Sequence, residues 1–95
     1  MSAPDEIISQ RNEIKRFIAK AEFDSALPKL IDFATNYKPD LEDDAVGLSS
    51  RYYRIVKAAK NGDISWDEGQ RELTKVGAAM LGLLRDITQD LAQAC

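Results

Sequence analysis

The sequence predicts an all-α fold, an antiparallel bundle of four main helices, with extra short helices left open. Three observations lead there. Apolar residues recur at helical spacing in four successive segments. Helix-stop and helix-cap signals separate those segments. No segment alternates polar and apolar residues as a half-buried strand would.

The first helix is expected from about Pro4 to Ala21. Its apolar stripe is Ile7, Ile14, Phe17, Ile18 and Ala21, interrupted by Arg11. Pro4 suits a first turn, where Asp5 and Glu6 complement the positive end of the helix dipole. The second helix is expected to start at Asp24 as N-cap and run to about Tyr37. Leu27, Leu30, Ile31 and Ala34 share one face, and Pro28 falls in the first turn. Phe23, just outside, is placed to pack back on Leu27 or Pro28. Pro39 ends this element by pushing Lys38 out of the helical region.

The third helix is expected from about Asp40 to Lys60. Leu41, Ala45, Leu48, Tyr52, Ile55 and Ala59 form its stripe, with Val56 on the flank. Glu42, Asp43 and Asp44 crowd its first turn, and Asn61 and Gly62 supply a left-handed stop. The fourth helix starts at Ser65. Ser65 and Glu68 match a capping box, in which each side chain satisfies a backbone N–H. Leu73, Val76, Met80, Leu83, Ile87 and Leu91 make the longest stripe, widened by Leu84. Gly69, Gly77 and Gly82 interrupt this helix, and Gly77 is expected to admit a close neighbour. Short connections between the helices favour antiparallel packing.

A chain of 95 residues fits one domain, residues 1–95, and suffices for a modest core without disulfides or metal. Its 44% hydrophobic and 31% charged residues are ordinary for a soluble protein. A net charge of −3 argues against nucleic acid and against anionic lipid as partners. No apolar run is long enough to span a bilayer, and no signal peptide is evident. The one cysteine, Cys95, is terminal and has no intrachain partner, which fits a reducing cytoplasm. The abrupt end after the fourth helix suits a complete small protein, and equally an N-terminal module of a longer parent.

The sequence offers no catalytic constellation. Histidine is absent, which removes Ser-His-Asp and Cys-His systems, and typical zinc sites lack ligands. No glycine-rich phosphate loop precedes a helix. No enzyme activity, cofactor or metal is therefore expected. Asn61 to Glu68 imitates half of a calcium loop, but Lys57 and Ala59 then occupy ligand positions they cannot fill. Glu42, Asp43 and Asp44 read more simply as a dipole-complementing first turn than as an acidic site.

Candidates for protein contact remain. They are Asp43, Asp44, Arg51, Tyr53, Arg54 and Trp66. Tyr52 belongs to the core stripe and Tyr53 to its edge, about 100° apart, so they form no single platform. Arg54 points almost directly away from the core, on a mixed-charge face with Asp43, Gly47, Ser50 and Lys57. Such faces are usually only solvated, yet they are also what electrostatically selective partners use. The two arginines and the Asp43/Asp44 turn are expected to offer opposite-signed surfaces. Trp66 is expected to cover the end of the bundle, with an exposed aromatic anchor as the alternative.

Leu48-Ser49-Ser50-Arg51-Tyr52 through Arg54-Ile55, then Gly62-x-Ile64-Ser65-x-x-Glu68, then Leu81-x-Leu83-Leu84, resemble bacterial effector-associated domains of the eleventh type. Glu22-Phe23-Asp24-Ser25-Ala26-Leu27 is similar to the start of their second helix, and the resemblance covers about residues 14–88. Tyr53 stands where that family more often has a polar residue, frequently asparagine. Gly77 and Gly82 stand where alanine-like or larger residues are expected. The resemblance implies a small helical adaptor with a death-like fold, four helices or six with extra short ones. It implies association with another copy or with a similar domain on an effector. Such effectors are caspase-like or trypsin-like proteases, TIR domains, pore-forming proteins and STAND NTPases, in bacterial immunity or regulated death. The competing reading is a stand-alone regulatory or antitoxin-like bundle that masks an unrelated enzyme.

Overall fold

The computed structural model describes residues 3–93, with side chains over 5–89. Met1 and Cys95 lie outside the described residues, and the Pro4 and Leu91 side chains outside those described. Four α-helices follow one another: α1 (Ala3–Ala19), α2 (Phe23–Tyr37), α3 (Glu42–Lys60) and α4 (Trp66–Gln93). A single 3-10 turn, Pro39–Leu41, is the only extra helical piece among the described residues. It takes the place expected for the start of the third helix. α2 and α4 touch across the middle of the bundle, and α1 and α3 lie on either side of that pair.

The end of α1 is the first departure from expectation. The apolar stripe is expected to reach Ala21, but this residue lies beyond the helix, exposed, with φ 58°. The Ala21 N–H donates to the Ile18 carbonyl at 3.0 Å and the Glu22 N–H to the Phe17 carbonyl at 2.9 Å. These paired bonds define a left-handed helix stop, usually made by glycine. Gly62 ends α3 in the same way. Its φ is 79°, and the Asp63 N–H donates to the Ala58 carbonyl at 2.9 Å.

Because the α1 stop takes up Lys20, Ala21 and Glu22, α2 starts at once, at Phe23. Its N-cap is Glu22, without a side-chain cap bond, so Asp24 is a first-turn residue and not the cap. Pro28 accordingly sits in the second turn, where α2 forgoes the bond to the Asp24 carbonyl. Phe23 is the first residue of α2 and not a residue outside it, and its packing reaches other helices. It is buried, meets the Tyr52 ring edge-on at 5.9 Å, and lies over Gly77. A Cβ on Gly77 would stand 3.1 Å from Phe23 Cζ, so the glycine does admit a close neighbour.

The core centres on α2 and α4. Leu27, Leu30 and Ala34 are buried as expected, joined by Ala26 and by Phe33, which packs edge-on against Tyr37 at 5.0 Å. Val76, Met80, Leu83, Leu84 and Ile87 line the buried face of α4. α3 contributes less than its stripe suggests. Ala45 alone is fully buried, while Leu48, Tyr52 and Ile55, and Leu41 in the preceding turn, are partly buried against the core. At the start of α4 the Glu68 N–H donates to Ser65 Oγ at 3.1 Å. The reciprocal half of the capping box differs from expectation: Glu68 Oε1 accepts from the Ser65 hydroxyl, at 3.4 Å.

Candidate protein-interaction surface

Four of the six candidate residues come together. α3 and α4 leave an open depression of about 550 Å³ between their outward sides. α3 lines it with Asp43, Asp44, Gly47, Leu48, Arg51 and Arg54, and α4 with Ala79, Gly82, Leu83 and Asp86. Asp43 and Asp44 are fixed by the first turn of α3, where the dipole favours them. Arg54 lies ten residues beyond Asp44, roughly 15 Å along the axis. The depression is therefore acidic at one end and basic at the other. Among the described residues Asp43, Asp44, Asp86 and Arg54 make no ion pair within the chain.

Arg51 is different. Its Nη2 lies 3.3 Å from Glu72 Oε2, tying α3 to α4, and Lys75 Nζ holds the other carboxylate oxygen at 3.3 Å. Hydrogen bonds from Lys75 and then Arg51 hold the Glu72 carboxyl below its usual range. All three side chains are substantially exposed, so the network is worth little. Arg51 is thus partly engaged by the fold, whereas Arg54 is exposed and makes no ion pair among the described residues.

Tyr53 and Trp66 stand apart from this depression. Tyr53 is 51% exposed on the other flank of α3, in register with exposed Val46 and Val56. Its ring meets Tyr52 edge-on at 5.0 Å, so the two tyrosines touch, though steeply inclined at 73° and without a stacking platform. Tyr52 in turn meets Phe23, so the aromatic chain runs from core to surface. Burial first, then the Asp24 and Tyr53 charges, push the Tyr52 phenol up. Trp66 does not cover the end of the bundle: it is 72% exposed. It also lies twenty residues from Asp86, roughly 30 Å along α4. The reason is local, since capping by Ser65 places Trp66 in the first turn, ahead of the buried stripe of α4.

Sequence reasoning missed the α4 contribution to the depression. Asp86 and Gly82 fall on the outward side of α4 and Ala79 on its flank, and a helical projection from Met80 would have found them. Among the described residues no group of acidic or cysteine side chains is arranged to hold a metal. No described helix is long and apolar enough to cross a membrane.

Searches of curated proteins and of solved structures each return no significant match. A family profile does match. The profile of effector-associated domain 11 covers residues 9–88, most of the chain and all four helices in whole or part. The chain belongs to the effector-associated domain 11 family.

Proposed function

We propose that residues 1–95 act as one non-catalytic adaptor domain of the death-like kind. It binds a like domain and thereby recruits an effector in bacterial immunity or regulated cell death, in the cytoplasm. The effector is a protease, a TIR domain, a pore-former or a STAND NTPase. Membership of a family named for its association with effectors supports this reading. The observation that carries it to a surface is the α3–α4 depression, which sets Asp43, Asp44 and Asp86 against Arg54 with none of them paired internally among the described residues. Charge arrangements of this type select partners and speed encounter.

The test is capture of like domains encoded nearby, using the unmodified chain and Arg54→Glu. Arg54 is exposed, so the reversal should weaken capture and leave the melting temperature unchanged. Intact binding, or an unfolded variant, would reject the assignment. Capture of an enzyme that carries no such domain would favour the masking regulator instead.

A further inference from the structure

The outward crest of α4 has a depression on each side, and beside Arg85 and Asp86 the two carry opposite charge. The side shared with α3 presents Asp43, Asp44 and Asp86 at its acidic end, with Arg51 and Arg54 at the other. The side shared with α1 presents Arg11, Lys15 and Arg85, together with Leu81, an exposed apolar side chain. Gly82 lines both depressions and so marks the crest between them. Arg85 and Asp86 are consecutive, so the basic and acidic clusters stand at one height along α4. Among the described residues Lys15 and Arg85 make no ion pair within the chain, and Arg11 bonds to the side-chain oxygen of its neighbour Asn12, at 3.2 Å. By contrast, the depression between α1 and α2 pairs its one cation internally, with Lys29 Nζ 3.0 Å from Glu13 Oε1.

We propose that the crest of α4 is a self-association surface, and that its occupant is a second copy of this chain packed in parallel about a two-fold axis running along α4. The symmetry follows from the signs. An axis along the helix lays the basic flank of each copy on the acidic flank of the other, so the complementary contact is made twice. An axis across the helix would set like charges against like. The crest itself admits a close neighbour, because Gly82 has open space where a side chain would project and Ala78 and Ala79 flank it. No internal contact requires glycine at that position. This inference rests on the adaptor reading and specifies its partner and its face.

Sedimentation and light scattering on the full chain test it with two charge-reversed forms. One carries Asp43→Lys, Asp44→Lys and Asp86→Lys; the other carries Arg11→Glu, Lys15→Glu and Arg85→Glu. The unmodified chain is expected to dimerise as concentration rises, and more weakly as salt rises. Each reversed form alone should lose about tenfold or more in dimerisation. An equimolar mixture of the two should recover a dimer, because each altered flank then meets its complement. Circular dichroism establishes that the variants fold. Asp86→Lys and Arg85→Glu, single changes at exposed positions, serve in place of any triple variant that does not. A mixture that stays monomeric, or single forms that dimerise like the unmodified chain, overturns the proposal. So does an unmodified chain that is monomeric throughout. If that monomer still captures a like domain on an effector, the adaptor reading survives and only the self-association fails; if it captures nothing, both fail.

Discussion

Ala21→Gly should stabilise this domain, although it removes a methyl group. Ala21 holds φ 58° at the stop of α1, and its side chain is exposed, so no packing is lost. Left-handed backbone costs a non-glycine residue about 1–2 kcal/mol. Glycine avoids that strain but enlarges the unfolded ensemble, which returns about 0.4–1 kcal/mol. The net expectation is a gain of about 0.5–1 kcal/mol. In a domain of this size that raises the melting temperature by a few degrees, since about 1 kcal/mol moves it by roughly 4–8 °C. Gly62 supplies the mirror experiment. It adopts φ 79° at the equivalent position of α3, with open space around it, so Gly62→Ala should lose about 1 kcal/mol from strain alone. Urea denaturation of both variants, with a common slope, measures the pair. A neutral or destabilising Ala21→Gly would refute the left-handed stop at the end of α1.

The other glycines and aromatics give further expected outcomes. Gly82→Ala meets nothing within 4 Å and should gain about 1 kcal/mol of helix propensity. Gly77→Ala gains the same propensity but must displace the Phe23 ring from 3.1 Å, so thermal melts should rank it clearly below Gly82→Ala; equal values would reject the Phe23 contact. Trp66→Ala should leave stability within about 0.5 kcal/mol, because the indole is 72% exposed, whereas a packed indole would cost about 3–5 kcal/mol. The raised Tyr52 phenol keeps its proton in the fold while the unfolded chain ionises near pH 10, so its contribution is complete below that pH and is lost as pH rises through the folded value. Tyr52→Phe should therefore reduce the alkaline loss of stability, read from denaturation midpoints above and below about pH 10.

The helices were legible because their periodicity and punctuation are local properties. Gly62 and Ser65 announce their roles, and both do what the sequence indicates. Ala21 announces nothing. Alanine is a good helix former, and its left-handed turn is imposed by how α2 must leave α1 to bury Phe23 and Leu27. That tertiary demand also moved the start of α2 ahead of Asp24 and carried Pro28 into the second turn. The α3 stripe was read correctly as a face but not as a depth, since depth depends on which helices flank α2 and α4. The site divided in the same way. One helix showed Asp43, Asp44, Arg51 and Arg54 in a row, but Asp86 and Glu72 join them only across the α3–α4 contact. Trp66 is exposed against expectation because aromatic character alone does not say whether a helix end has anything to cover.

The most direct test of the adaptor account is an NMR titration of the isotopically labelled chain with a like domain taken from a neighbouring effector. The account predicts amide shift changes concentrated at residues 43–54 and 79–86, with the outward face of α2 unmoved. Absence of any change, or changes confined to α2, would contradict it.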